Sequence, residues 1–431
     1  MKYAVLTFGC RVNQADSLRI DEQLRAHGAE AVSPEHADLV VVNTCSVTAT
    51  ADQGGRQTIR RVARQNPGAR IVATGCYASR CGEEVGALPG VVRVVPNDAK
   101  DRLIQLIAIE AGLTTASRPT DGAGACGAAL APGLSGRTAY TLAVQTGCEE
   151  RCAYCIIPST RGRSRSLPLA AVLGEVRRIV AAGFREIVLT GVHLGAYGRD
   201  LDPPASLAAL LRALAAGRWD VRFRVSSLEP MDCPPEVVDL AAPGGPIAPH
   251  FHLPLQHASD TVLAAMQRPY TLRDYDRLVT GIRRQLPAAA IGADVIVGFP
   301  GERHEDFQAT LAYLAGSPLT HVHVFPYSDR PGTVASRLRH RVEPCEIRDR
   351  ARQIRDAGRR LAERFHRSQV GSVHRSLTLE DGTLAVTDNY LKVRIAPGHA
   401  RNAWVQVRID SEDEPAAGEV VPERADPGGA C

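Results

Sequence analysis

Gln145-Thr146-Gly147-Cys148-Glu149-Glu150-Arg151-Cys152-Ala153-Tyr154-Cys155 is the stretch on which the fold turns. It closes a β-rich run at 139–145 and sets three cysteines at C-x3-C-x2-C spacing. A loop of this length can wrap three thiolates around one corner of a [4Fe–4S] cube, leaving the fourth iron without a protein ligand. An iron left open can bind the amino and carboxylate groups of S-adenosylmethionine and pass it an electron. A structural zinc site and unrelated thiols are the competing readings. Zinc wants a fourth ligand close by, and the nearest histidine downstream is His193.

Working outward, strand-like runs recur at 186–190, 221–226, 250–255, 291–298 and 321–326, with helical spacing between them, as at 169–182 and 207–216. Six β/α units are too few for a complete eight-fold barrel, so an open, partial barrel is predicted, with its chemistry at the carboxyl ends of the strands. Upstream, β-rich runs at 3–8, 38–42 and 70–74 alternate with helical stretches at 16–26 and 58–65, which predicts βαβ units on a parallel sheet. Cys10, Cys45 and Cys76 each sit just beyond one of these runs. In a parallel sheet such loops gather at one edge. The three cysteines either converge there on a second cluster or serve as small buried hydrophobes; topology alone leaves both open.

The 112–136 segment, rich in Gly, Ala, Ser, Thr and Pro, reads as a linker. Residues 346–367 read as one helix with eight Arg against four acidic residues. Short β-like runs at 376–379, 391–395 and 404–409 predict a small all-β barrel, followed by an acidic, Pro- and Gly-containing tail from 410 onward. The 431 residues suit about three domains. Lys and Arg outnumber Asp and Glu by 51 to 47, an excess too small to single out nucleic acid. Eleven cysteines are too few for a disulfide scaffold, and six of them fall into two patterned triads, which favours a reducing compartment and metal chemistry. The apolar run at 3–8 is too short for a signal peptide, and no segment reaches about 18 uninterrupted apolar residues. A cytoplasmic protein without a membrane span is expected.

Further motifs carry a resemblance along the whole chain. Gly9-Cys10-Arg11-Val12-Asn13-Gln14, Asn43-Thr44-Cys45-Ser46-Val47-Thr48 and Gly75-Cys76-Tyr77 resemble the N-terminal motifs of the radical SAM methylthiotransferases. Arg161-Gly162-Arg163-Ser164-Arg165-Ser166, Leu253-Pro254-Leu255-Gln256-His257 and Asp294-Val295-Ile296-Val297-Gly298-Phe299-Pro300-Gly301-Glu302 resemble that family's barrel motifs. The implied class is α/β: an N-terminal parallel α/β domain (1–111), the linker (112–136), a partial (β/α)6 radical SAM barrel (137–367) and a TRAM-like RNA-binding β-barrel (368–428).

The resemblance implies two [4Fe–4S] clusters, one on Cys148, Cys152 and Cys155 and an auxiliary one on Cys10, Cys45 and Cys76. It implies replacement of an adenosine C2–H by a methylthio group, with S-adenosylmethionine as cofactor. Tyr154, Gly191, His193, Glu229, Gln256 and Gly298 are the expected cofactor-binding residues, Gly298 by permitting close backbone approach. Arg161, Arg163 and Arg165 are the expected RNA contacts. Within the family, the Arg11 to Gln14 variant, Asn43 to Thr48, and Thr190-Gly191-Val192-His193-Leu194-Gly195-Ala196-Tyr197-Gly198 look most like the branch that modifies threonylcarbamoyladenosine at position 37 of tRNA. Branches acting on isopentenyladenosine or on a ribosomal-protein aspartate are the alternatives, and a non-enzymatic iron–sulfur RNA sensor is a third. The expected partners are tRNA, an electron donor and a sulfur source, with no membrane, and the chain is expected to be monomeric.

Overall fold

Five parallel strands open the chain, in the spatial order Glu30–Ala31, Lys2–Thr7, Leu39–Thr44, Arg70–Gly75 and Val91–Val95. The computed structural model describes residues 1–111, 130–134 and 136–422, and most of the expected linker lies outside the described residues. Leu39–Thr44 is buried at every position because helices cover both faces of the sheet, which is why it reads as a run of apolar β-branched residues. The strand order reverses between Lys2–Thr7 and Leu39–Thr44, opening a crevice at their carboxyl ends. Cys10 and Cys45 follow these two strands, and Cys76 follows the adjacent Arg70–Gly75. The helix Ala49–Gln65 begins well before the expected residue 58, because the Thr48 side chain accepts from the Ala51 amide at 3.1 Å and caps it. Gly54 and Gly55 had masked that start.

Six parallel strands form the central barrel. Tyr140–Ala143, Glu186–Thr190 and Arg222–Val225 make one half, and His250–His252, Ala290–Val297 and His321–Pro326 the other. Isolated parallel bridges, Phe223 to Ile247 and Ser227 to His252, join the halves. The outer strands Tyr140–Ala143 and His321–Pro326 do not pair with each other, so the barrel is open on one side.

The N-terminal domain spans that opening. At one edge the Tyr140 hydroxyl donates to Glu22 Oε1 at 2.8 Å, and Arg178 pairs with Glu22 at 3.1 Å. At the other edge the Ala49 amide donates to Ser328 Oγ at 2.9 Å, and buried Arg330 pairs with Asp52 at 2.5 Å. Between the edges, Asp16 accepts from Lys100 Nζ and from Arg161 Nη2, each at 2.9 Å.

A closed five-stranded barrel, built on Val373–Leu379, Leu384–Val386, Lys392–Arg394, Trp404–Ile409 and Ala416–Val421, completes the chain. Its last strand corrects the expectation of a loose tail from residue 410. Ala416–Val421 pairs antiparallel with Trp404–Ile409 and parallel with Lys392–Arg394, covering edges that would otherwise stay open. This barrel is seated on the central one by Arg224, which pairs with Glu186 and donates to the carbonyls of Asp388 and Thr387 at 3.0 and 3.3 Å.

Burial pushes the Asp16 carboxyl up, but Lys100 and Arg161 outweigh that and hold it below the usual carboxylate range. A lowered pKa means the stabilisation is complete above the ordinary carboxylate value, about 4, and is lost as pH falls below it. Asp16→Asn leaves two buried cations uncompensated and is expected to cost about 3–5 kcal/mol. The urea midpoint at pH 7 measures it; an unchanged midpoint would show that these charges contribute nothing net.

Candidate active site

The strand Gln145–Thr146 delivers the chain into the loop of the first cysteine triad. Gly147 sits at φ +75°, and a Cβ there would lie 1.8 Å from the Arg163 carbonyl oxygen, so only glycine lets the loop turn back. The Cys148 amide donates to the Gly162 carbonyl at 3.0 Å, the Ala153 amide to Met266 at 2.9 Å, and the Cys155 amide to Cys152 at 3.0 Å. Gln145 clamps the base of the loop. Its Nε2 donates to the carbonyls of Thr146 and Gly147 and to Ser164 Oγ at 2.8–2.9 Å, while its Oε1 accepts from the His193 amide at 2.9 Å.

Burial raises the Cys155 thiol to about 12 and raises that of Cys152. Arg268 opposes the shift at Cys152, donating from Nη1 to its Sγ at 3.1 Å while pairing with Glu229. His193 donates from Nε2 to Asp232 at 2.6 Å. Burial disfavours its charge, but Asp232 and Cys148 outweigh burial and lift it to about 10. Gln256 ends its strand segment at φ +64°, donating from its amide to Asp294 and accepting from Ile296, both at 2.8 Å. Tyr154 is half-buried, with Arg268 close enough to act on its hydroxyl.

The cysteines of the second triad are near enough for Cys10 and Cys76 to act on Cys45. Gly9, at φ +86°, has no room for a Cβ, which would lie 2.4 Å from Cys45 Sγ. The Cys45 thiol is pushed up to about 11 by burial, and the nearness of Cys10 and Cys76 adds to it. Asn97 Nδ2 lies 3.6 Å from Cys76 Sγ and donates to the Thr160 carbonyl at 2.9 Å, in the other domain. Asn13 ties the loops behind the triad, donating to the carbonyls of Phe8 and Thr44 at 2.8 and 2.9 Å.

Arg161 joins the two triads. Its side chain is 4% exposed; Nη1 donates to Thr146 Oγ1 at 3.2 Å, and Nη2 to Asn13 Oδ1 and Asp16 Oδ2 at 2.5 and 2.9 Å. The charges of Cys76 and Cys10 also act on it. A guanidinium so enclosed has no face left for a phosphate, which corrects its expected role as an RNA contact. Arg163 and Arg165 are exposed, Arg163 beside Glu149 at 3.2 Å. Gly298 is a second correction. A Cβ there would meet Ile347 Cγ1 at 2.4 Å, so the glycine admits the long helix Pro344–Gln369 rather than a ligand. At Gly191 the space is taken by Gln145 Oε1, 2.8 Å from where a Cβ would stand. Sequence reading missed Gln145, Arg268, Asn13 and Arg330. A polar residue closing a buried strand was the available signal for Gln145, and membership of the Gly9 to Gln14 motif that for Asn13; Arg268 and Arg330 had none.

Two sequence profiles match, one described as an uncharacterized protein family, UPF0004, over residues 2–96, and one for the radical SAM superfamily over 142–314. The chain is 36% identical to a threonylcarbamoyladenosine tRNA methylthiotransferase of Aquifex aeolicus over 405 residues, 91% of this chain and 96% of that protein. It is 38% identical to a ribosomal protein uS12 methylthiotransferase of Desulfosudis oleivorans over 380 residues, 84% of this chain and 86% of that one. The chain belongs to the radical SAM methylthiotransferase family. Among solved structures, the radical S-adenosylmethionine methyltransferase TsrM of Kitasatospora setae shares the fold at TM-score 0.55 and 18% identity, over 78% of this chain and 76% of that one.

The family's cofactors are S-adenosylmethionine and [4Fe–4S] clusters, and the donor sets fit. Among the described residues, the one set of three His, Cys, Asp or Glu donor atoms within 4.8 Å of one another is His252, Asp294 and His323. Neither cysteine triad is therefore drawn in around a single ion. The thiols raised by burial hold their protons until a metal replaces them. Gly147→Ala is expected to prevent the loop from closing and to lower iron in the reconstituted enzyme by about half, from two clusters to one. Iron and sulfide analysis reads it; full iron in that variant would show that the loop tolerates a side chain.

Proposed function

We propose that Cys148, Cys152 and Cys155 hold the cluster that works on S-adenosylmethionine, and Cys10, Cys45 and Cys76 the auxiliary one. The enzyme converts N6-threonylcarbamoyladenosine at position 37 of tRNA to its 2-methylthio derivative. One observation supports the reading: Arg161, just after the first cysteine loop, is buried against Thr146 on one side and Asn13 and Asp16 of the N-terminal domain on the other, where the charges of Cys76 and Cys10 act on it. Clusters held by these six cysteines would supply the electron for cleavage of S-adenosylmethionine and an iron site open to a further ligand.

The protein's own residues position and shield. Gln145 fixes the first loop against His193, and Asp232 holds the imidazole at that strand end. Arg268 sets a positive charge against Cys152 while orienting Glu229, and Arg161 and Lys100 do the same near Cys76. Such fixed cations stabilise buried thiolate charge without solvent. Met266, Ile296 and Phe299 pack with Ala153 behind the first loop and keep water out. His193, Glu229, Gln256 and Tyr154 are the contacts within reach of S-adenosylmethionine, with Gly191 offering backbone only. Exposed Arg163 and Arg165 and the C-terminal barrel supply the RNA contacts. The enzyme works as a monomer in the cytoplasm, where its thiols stay reduced, with an external electron donor and sulfur source.

The tRNA substrate is supported by the extent of similarity, which takes in nearly the whole threonylcarbamoyladenosine enzyme of Aquifex aeolicus and less of the ribosomal-protein enzyme. Mass spectrometry of tRNA nucleosides from a deletion strain should find the 2-methylthio nucleoside gone and N6-threonylcarbamoyladenosine left behind. Unchanged tRNA, with methylthioaspartate lost from a ribosomal protein, would overturn the assignment. The two triads should also separate. A Cys10/Cys45/Cys76→Ala enzyme is expected to form 5′-deoxyadenosine but no methylthio product; retained product would reduce those cysteines to ordinary loop thiols.

A further inference from the structure

Arg11 directly follows Cys10 and differs from four other arginines around the barrel. Arg161 is tied to Asp16, Arg330 to Asp52, Arg224 to Glu186 and Arg268 to Glu229. Half-buried Arg11 forms no ion pair among the described residues. Its Nη2 donates to the Tyr390 hydroxyl at 3.2 Å, and its guanidinium lies 5.9 Å from the centre of that ring. Tyr390 is a neutral partner contributed by the C-terminal barrel, held in turn against His250 at 4.7 Å and Arg224 at 4.6 Å.

The barrel wall beside Arg11 is rich in nitrogen donors. Asp294 and His323 are register partners on neighbouring strands, and Asp294 also accepts from His252 Nε2 at 2.9 Å. Asp294 lies 3.4 Å from His323 Nδ1, so its charge is already shared between two imidazoles. The His323 side chain is 59% exposed, and among the described residues its ring is paired only through Nδ1. Arg11 is near enough to act on the protonation of Glu186, His250 and His323, and Glu186 is already paired with Arg224. A half-buried guanidinium whose one hydrogen-bonded partner among the described residues is a phenol keeps N–H groups for an anion with two oxygens.

The chemistry of the base says which anion. In adenine, C2 and the carbon bearing N6 both flank N1, so the reacting atom and the substituent share one edge. A residue adjacent to Cys10 is placed to read that substituent while C2 faces the auxiliary site. A threonylcarbamoyl group ends in a carboxylate; an isopentenyl group has none. We propose that Arg11, assisted by His323, receives the carboxylate of the N6-threonylcarbamoyl group and is the specificity-determining residue. This rests on the substrate reading above.

The test uses reconstituted enzyme and two anticodon stem–loop RNAs that differ only in the threonyl carboxylate, left as the acid or converted to the primary amide. Wild-type enzyme should bind the acid about 10- to 100-fold more tightly, the span of one or two charge-assisted hydrogen bonds. Arg11→Gln should bring the acid RNA down to the affinity of the amide while leaving the amide unchanged. Arg11→Lys should recover part of the difference, and His323→Gln should lose part of it. Iron content and uncoupled 5′-deoxyadenosine formation check that each variant is folded; should Arg11→Gln lose iron, Arg11→Lys and His323→Gln decide. An acid-to-amide ratio unaltered in these variants overturns the proposal. Equal weakening of both RNAs would assign Arg11 to a backbone phosphate, and a raised KM for S-adenosylmethionine alone would assign it to that cofactor's carboxylate; either overturns it. A wild-type enzyme that ignores both RNAs and modifies isopentenyladenosine instead would overturn the substrate reading itself.

Discussion

One buried guanidinium joins the two halves of the chemistry. Arg161 reaches from the segment after the first cysteine loop into the N-terminal domain, where Asn13 and Asp16 receive it while Thr146 holds its other arm. Cations are costly to bury unless paired and hydrogen-bonded, so this contact forms only when the two domains are in register. The register matters because each triad belongs to a different domain and neither sheet alone could present both. Lys100 on the same Asp16 and Asn97 reaching the Thr160 carbonyl fix the same interface from other directions. The geometry of the gap is thus set by polar contacts, whose directionality specifies position where apolar packing would specify only proximity.

An open barrel normally leaves two unpaired edge strands, a liability for any sheet protein. Here the opening is used. The N-terminal domain covers both edges, through Glu22 on one side and through Asp52 with the Ala49 amide on the other. The same closure explains the charge of the site. Thiols buried in such a place resist ionisation, and Arg268, Arg161 and Lys100 are the groups set to favour the anionic form.

Much of this was legible in the sequence, for identifiable reasons. Cysteine spacing is local chemistry, and the buried strands of both parallel sheets carry dense apolar runs that need no partner to be recognised. What failed to show were strands whose existence depends on distant neighbours. Val91–Val95 and Leu384–Val386 are short, and Ala416–Val421 lies in acidic, glycine-containing sequence and is a strand only because two barrel edges need covering. Burial was equally invisible. Arg161 looked like part of a basic segment because its carboxylate partner lies 145 residues away. Gly298 looked like an opening for a ligand because Ile347 belongs to a helix that sequence could not place against it.

The long Arg-rich helix teaches the same lesson about charge. Of its arginines, Arg350 is buried against Glu302, Arg352 and Arg359 pair with acidic residues one turn away, and Arg364 donates to the carbonyls of Ala315, Ser317 and Leu319. Arg367 pairs with Glu412 at 2.7 Å, so the acidic segment after residue 410 is partly spent on the end of this helix. Arg348, Arg355 and Arg360 are left exposed and without ion pairs among the described residues. A run of eight arginines therefore offers a phosphate backbone only a fraction of its formal charge. Because counterion release scales with the phosphates actually neutralised, this helix contributes less to RNA affinity than its composition implies.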